Sequence, residues 1–155
     1  MPETFSLSRA PVDKSEFAEV LCYPQPEPHE LEARILELST LGVDTLELVG
    51  THSIGRVKVL GKGCVGIVIK SRMGRKVVAV KVRRTDANRL DMDHEARMLR
   101  LANTVGVGPK LLAQSKNFLV MEFINGIPLH RWVTLLSKSG CKTVSYTHLT
   151  LPTKR

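Results

Sequence analysis

The stretch VKVLGKGCVGIVIKSRMGRKVVAVKV, residues 57–82, decides the fold. Gly61, Gly63 and Gly66 follow the spacing GxGxxG, and glycine lets backbone N–H groups approach an anion closely because it has no Cβ. The stretch therefore predicts a turn that binds the phosphates of a nucleotide. The same spacing occurs in dinucleotide-binding folds, so the residues after the glycines must decide between two interpretations.

The residues after the glycines predict a β-hairpin. In a dinucleotide-binding fold the glycines open a helix, whose N-terminus binds the pyrophosphate. Here two runs rich in β-branched residues follow, 67–69 and 77–80, with Gly74 between them, and this composition is typical of strands. We therefore expect two antiparallel strands, with the glycine turn as a flap over the phosphates.

Two further motifs accompany the glycines. Val68 completes the pattern GxGxxGxV, and residues 78–81 read Val-Ala-Val-Lys. The stretch resembles the N-terminal lobe of a protein kinase, whose signature combines a GxGxxGxV loop with a VAIK strand. Because alternate residues of a strand share a face, Ala79 and Lys81 are expected to face the nucleotide together, and Val78 and Val80 to face the other way.

A helix is predicted over residues 88–103, with Asn88 as its N-cap. The helical period places Glu95 inside the apolar face of this helix, where a carboxylate is costly unless a cation meets it. Lys81 is the expected partner. The alternative is an ordinary surface pairing of Glu95 with Arg97 or Arg100.

A strand over residues 118–121 leads into a connector that resembles a kinase hinge. The resemblance implies that Met121 lines the adenine site, and that the Glu122 carbonyl and the Ile124 N–H hydrogen-bond the adenine edge. The ATP-binding residues implied by the resemblance are Gly61, Lys62, Gly63, Cys64, Val65, Gly66, Val68, Ala79, Lys81, Glu95, Met121, Glu122 and Ile124.

The predicted fold class is α+β, a kinase-like small lobe of five antiparallel strands and one packed helix over residues 53–127. Residues 1–52 are predicted to form an N-terminal helical extension, in which a short helix over 13–22 and a helix from Pro28 to Gly42 flank a proline-rich linker. Residues 128–143 would begin a large lobe. Residues 144–155 fit no helical or strand period and resemble translated adapter sequence, so they are left out of the fold prediction.

The large-lobe motifs HRDxxxxN, DFG and APE do not occur in the sequence. The resemblance therefore implies that the chain is truncated before the catalytic loop, contains no catalytic residue and is inactive alone, with the Mg ligands in the missing lobe. The insert-free lobe, with Lys-Val-Arg-Arg-Thr-Asp at residues 81–86, looks most like that of atypical archaeal serine/threonine kinases near the RIO-type group. The implied function is that of an ATP-binding lobe, in an enzyme that transfers the γ-phosphate of ATP to a protein hydroxyl. Small-molecule kinases share this lobe, so the acceptor stays open.

The composition is that of one modest globular domain: 155 residues, of which 43% are hydrophobic and 25% charged. No run reaches the roughly 18 apolar residues of a membrane span. The N-terminus lacks the pattern of a signal sequence, and the three cysteines form no CxxC pair. A cytoplasmic protein without a membrane partner is expected.

The net charge of +8 favours anionic partners. Part of it lies around the strands and the start of the helix, at Arg72, Arg75, Lys76, Lys81, Arg83, Arg84 and Arg89. No aromatic residue interleaves these cations, so the stacking platform of a single-strand binder is missing. A basic module that assembles on RNA, the ribosome or a protein partner remains the alternative function.

Overall fold

The computed structural model describes residues 3–7, 14–127 and 131–134. The helices are α1 (Lys14–Leu21), α2 (Pro28–Thr40) and α3 (Asp93–Thr104). The strands are β1 (Glu3–Ser6), β2 (Thr45–Leu48), β3 (His52–Ile54), β4 (Val57–Val59), β5 (Gly61–Lys62), β6 (Gly66–Met73), β7 (Lys76–Arg83), β8 (Leu111–Gln114) and β9 (Phe118–Glu122). The chain divides into two units, Met1–Phe123 and Ile124–Arg155.

The main sheet is antiparallel, with strand order β1-β2-β6-β7-β9-β8 and the short β5 paired with β6. The α+β class is therefore as predicted, but the count of five strands is wrong. Strands β1 and β2 come from the region that was predicted as a helical extension. Strand β4, just before the glycine turn, pairs with β3 in a separate two-stranded sheet.

The hairpin predicted from the runs around Gly74 is confirmed. Strands β6 and β7 pair along their whole length, from Gly66 opposite Arg83 to Met73 opposite Lys76. Gly74 has φ +58°, in the left-handed region that glycine adopts without the penalty of a Cβ. Its N–H donates to the side chain of Asp44, which ties the turn to the loop before β2.

The two faces of the sheet carry different cores. Val78, Val80 and Val82 are buried in the larger core, together with Phe17 of α1 and Leu38 of α2. Fully burying an aliphatic side chain contributes roughly 1.5–3 kcal/mol, so α1 and α2 are held by the same core as the sheet. The predicted alternation along β7 is confirmed.

The opposite face carries a smaller core beneath α3. Met92 and Ala96 pack there with Leu119 of β9. Helix α3 begins at Asp93 and not at Asn88 as predicted. The residue before it, Met92, is held against the sheet, because its side chain is buried and its N–H donates to the Lys116 carbonyl at 3.1 Å. Asp91, rather than Asn88, accepts from the first helical N–H, that of Asp93, at 3.0 Å.

A fully buried arginine joins the N-terminal helices to the sheet. Arg34 of α2 has no exposed surface, and its guanidinium donates to the main-chain carbonyls of Leu21 and Arg83, each at 2.6 Å. It also donates to Glu30 Oε1 at 2.7 Å and to Asn117 Oδ1 at 3.4 Å. The Arg34 guanidinium therefore joins the end of α1, the end of β7 and the β8–β9 turn.

In the second unit, residues 131–134 are helical. Apart from these four residues, the predictions for 128–143 and 144–155 lie outside the described part of the chain. No helix among the described residues is long and apolar enough to cross a membrane.

Candidate functional site

The predicted nucleotide-binding side chains of three neighbouring strands lie on one face of the sheet. Val68 of β6 is opposite Lys81 of β7, and Ala79 of β7 is opposite Met121 of β9. Residues directly opposite each other in an antiparallel pair share a face. Because Lys81 is also opposite Leu119, which packs beneath α3, this is the face that α3 covers in part.

Lys81 and Glu95 form an ion pair across this face. Their side chains are 23% and 29% exposed, so the pair is shielded from bulk water without being sealed from it. The docking of Met92 and Ala96 on the sheet sets the depth and rotation of α3, and this directs Glu95 towards β7. The predicted pair is confirmed, whereas Arg97 and Arg100, the alternative partners, lie exposed on the helix.

The glycine turn folds back over the start of β6. Gly61 and Lys62 pair with Val68 and Ile67, and the Gly63 N–H donates to the Gly66 carbonyl at 2.8 Å. Cys64 lies in the turn between Gly63 and Gly66, and it is an exposed free cysteine.

Of the three motif glycines, the packing of the chain itself requires only Gly66. A Cβ at Gly66 would lie 2.8 Å from the Val82 carbonyl oxygen and 3.0 Å from Lys81 Cε. At Gly61 and Gly63 the nearest atoms would be 3.8 Å and 3.6 Å away, which is ordinary contact. Gly66 therefore lets the turn pack against Lys81. At Gly61 and Gly63 the backbone of the turn is not covered by a side chain.

The connector is divided between the two units. Met121 is half-buried on the face that carries Lys81, and Glu122 ends β9 with its N–H donating to the Lys110 carbonyl at 2.9 Å. Ile124 begins the second unit, where its side chain is exposed and its carbonyl accepts from Gly126 at 3.0 Å. The hydrogen bonds from Glu122 and Ile124 to adenine stay predictions.

Several of the cations counted as a basic surface are engaged locally. Arg72 donates to buried Glu47, which also pairs with Lys70, and the hydrogen bond from Lys70 holds the pKa of Glu47 below its ordinary value. Arg84 makes a two-bond pair with Asp86, at 2.8 and 2.6 Å.

Arg83 is similarly engaged, since it donates to Asn117 Oδ1 at 3.0 and 2.8 Å. Burial lowers the pKa of its guanidinium below the ordinary value, although arginine stays protonated. Three of the cations counted in the sequence, Arg72, Arg83 and Arg84, are therefore engaged by neighbouring groups.

Two residues that the sequence analysis did not assign contact the glycine turn. The ring of Tyr23, just after α1, lies beneath Lys62 of the turn, and Arg84 donates to the Gly63 carbonyl. Arg84 is noted in the sequence only as one of the basic residues, and no motif includes Tyr23, because these contacts join segments that are far apart along the chain.

A cavity of about 780 Å³ lies elsewhere, between the proline-rich linker and the end of β7. Its lining includes Pro24, Glu30, Arg83 and Asp86, none of which is a predicted nucleotide-binding residue. Within the described ranges no group of three His, Cys, Asp or Glu side chains could hold a metal ion.

Comparisons with known proteins identify no relative. No protein-family model matches the chain, and neither a curated protein nor a solved structure matches it.

Proposed function

We propose that the chain binds Mg·ATP on the sheet face formed by β6, β7 and β9, as the nucleotide-binding lobe of a serine/threonine protein kinase that transfers the γ-phosphate to a protein hydroxyl. One observation carries the proposal: the Lys81 side chain, which forms the ion pair with Glu95, lies against Gly66 of the glycine turn. A cation and a turn with uncovered backbone are thus brought together at one place.

The pair suits a phosphate site because it orients a cation and leaves part of it available. The lysine ammonium has three N–H donors, and Glu95 engages Lys81 from the α3 side. The partial exposure of the Lys81 side chain, 23%, leaves it open to a ligand. Placing such a charge against the α- and β-phosphates is the role of the lysine of the VAIK strand in protein kinases.

The glycine turn supplies the second part of the site. At Gly61 and Gly63 the chain has no Cβ, and a Cβ there would have its nearest atoms at 3.8 Å and 3.6 Å. The backbone of the turn is therefore not covered by side chains at these positions, so phosphate oxygens can approach it closely. The Gly63 N–H itself is engaged with the Gly66 carbonyl. When bound, Mg·ATP supplies the transferable phosphoryl group, with the metal neutralising its charge. The described residues would hold the phosphates and not the metal.

The apolar side chains beside Lys81 suit a purine ring. Val68, Ala79 and Met121 form an apolar surface on three adjacent strands, in which Val68 and Met121 are partly exposed and the small Ala79 is buried between them. A planar base laid there would bury apolar area while its polar edge points towards the end of β9. The choice of a protein hydroxyl as acceptor rests on the resemblance to serine/threonine kinases, and a small-molecule acceptor is the alternative.

Nucleotide titration with matched variants tests the proposal. The full chain is titrated with Mg·ATP by calorimetry, and its thermal unfolding is followed with and without nucleotide. At 100 times Kd, a ligand that binds only the folded state stabilises it by about 2.7 kcal/mol, which raises Tm by roughly 5–10 °C for a chain of this size.

Lys81→Met is expected to raise Kd by about 10- to 100-fold, because a hydrogen bond to a charged group contributes roughly 1.5–3 kcal/mol. Glu95→Gln is expected to raise Kd by about 2- to 5-fold, since Lys81 keeps its charge but loses a partly exposed ion pair. Lys76→Met, an exposed lysine at the start of the same strand, is the control and should leave Kd unchanged. Equal losses in Lys81→Met and Lys76→Met would indicate non-specific attraction to a basic surface and would favour the RNA-binding alternative.

A further inference from the structure

The tip of the glycine turn contacts an aromatic ring from the N-terminal region. Lys62 Nζ lies 4.5 Å from the centroid of the Tyr23 ring, and Arg84 Cζ lies 4.9 Å from it. Both distances are within the roughly 6 Å at which a cation is attracted by the face of an aromatic ring. Among the residues described, Lys62 makes no ion pair, so the ring is the group that holds its ammonium.

Arg84 connects the ring to the backbone of the turn. Its guanidinium donates to the Gly63 carbonyl at 3.2 Å, and its main-chain N–H donates to the Val65 carbonyl at 3.0 Å. Asp86 fixes the guanidinium with two hydrogen bonds, and these raise the pKa of Arg84 above its ordinary value. Arg84 thus stays charged and oriented while it contacts both the ring and the turn.

Tyr23 is itself held by main-chain bonds. Its carbonyl accepts from the Thr85 N–H at 2.9 Å and from Thr85 Oγ1 at 3.1 Å. These bonds do not involve the ring, so a change of the Tyr23 side chain can leave them in place. The ring contacts can therefore be removed without undoing the link between the end of α1 and the segment after β7.

We propose that Tyr23 is a positioning residue, which holds the glycine turn through Lys62 and Arg84 in the conformation that binds nucleotide. This inference rests on the proposed function. The N-terminal region thereby controls nucleotide affinity, because a turn that is already ordered loses less conformational freedom on binding. The hydroxyl plays no part, so the ring alone carries the effect.

The test compares Tyr23→Leu with Tyr23→Phe in the full chain. Amide hydrogen exchange is measured at residues 62–66 without nucleotide, and Kd for Mg·ATP is measured by calorimetry. Losing both ring contacts in Tyr23→Leu is expected to raise turn exchange and Kd by about 5- to 30-fold. Tyr23→Phe keeps the ring and should stay within about twofold of the unmodified chain.

Exchange in α2 separates positioning from a general loss of stability. Exchange at Leu38, which is buried in the main core, should be the same in all three proteins. An equal rise at Leu38 and in the turn would overturn the proposal, as would Tyr23→Phe behaving like Tyr23→Leu. Tighter nucleotide binding in Tyr23→Leu would also overturn it, since Tyr23 would then hold the turn away from the ligand.

The two readouts also separate this inference from the proposed function. If the unmodified chain does not bind Mg·ATP, the proposed function fails, and turn exchange alone decides whether Tyr23 holds the turn. If the unmodified chain binds Mg·ATP and Tyr23→Leu binds equally well, the positioning role is wrong while the proposed function stands.

Discussion

Replacing Arg34 by methionine is expected to destabilise the fold strongly. The guanidinium is fully buried and donates to two main-chain carbonyls at 2.6 Å, those of Leu21 and Arg83. Methionine is unbranched and can fill much of the volume, but it donates no hydrogen bond. The substitution therefore leaves carbonyl acceptors in the interior without their donor.

The expected magnitude follows from these bonds. Each buried polar group left without a partner costs about 1–3 kcal/mol, and removing one member of a buried charged network typically costs about 3–5 kcal/mol. Glu30 lies partly in water, with its side chain 36% exposed, so it adds little to this sum. We expect Arg34→Met to lower the free energy of unfolding by about 3–5 kcal/mol.

Urea unfolding followed by far-UV circular dichroism measures the effect. With an m-value of about 2 kcal/mol/M, the midpoint should fall by about 1.5–2.5 M. Arg97→Met, at an exposed position of α3, should change stability by no more than about 0.5 kcal/mol. Arg34→Lys should fall in between, because lysine keeps the charge but lacks the planar fork. An Arg34→Met protein as stable as the Arg97→Met control would refute this account of how the N-terminal helices are held.

Three further predictions concern the turn, the sheet and turnover. Gly66→Ala should lose about 1–3 kcal/mol of stability in urea unfolding, because its Cβ would lie 2.8 Å from the Val82 carbonyl oxygen. Gly63→Ala, whose Cβ would lie 3.6 Å from its nearest atom, is the matched control. Equal losses in the two variants would contradict the close packing of Gly66. The ion pairs of Glu47 lower its folded-state pKa from 4.5, so their stabilisation is complete above about pH 4.5 and is lost as pH falls through the folded-state value. Glu47→Gln should flatten this decline in thermal melts below about pH 4.5, and Glu32→Gln, at an exposed position of α2, is the control. The purified 155-residue chain should bind Mg·ATP without transferring radiolabelled γ-phosphate to a generic protein acceptor, because its sequence contains no HRD or DFG motif. If the chain transfers phosphate and Lys81→Met abolishes the transfer, the prediction that the chain is inactive alone is wrong.

The elements that could be predicted from the sequence have local signals. The β6–β7 hairpin is encoded by two β-branched runs and Gly74, and α2 by the proline at its first position and the glycine beyond its end. Each signal lies within a few residues of the feature that it specifies. The bounds of α2, Pro28–Thr40, accordingly agree closely with the prediction.

The elements that were missed depend on partners far along the chain. Strand β1 has only four residues and exists through its pairing with β2, more than 35 residues later. The start of α3 was misjudged because Asn88 is a good cap by residue type, whereas the helix begins where Met92 docks in the smaller core. Residue preferences carry no information about either contact.

Glu95 and Arg34 show where the limit of such reasoning lies. Both are charged residues on the apolar stripe of a helix, Glu95 one residue before buried Ala96 and Arg34 between buried Leu31 and Leu38. The same physical argument applies to both, because a charge on a buried stripe requires a partner. For Glu95 the partner could be named, since a motif supplied a lysine on a strand. For Arg34 the acceptors include main-chain carbonyls, one of them 49 residues away, and every residue type carries such a group. A sequence can thus reveal that a buried charge needs a partner, but it identifies that partner only when a side chain of matching chemistry provides it.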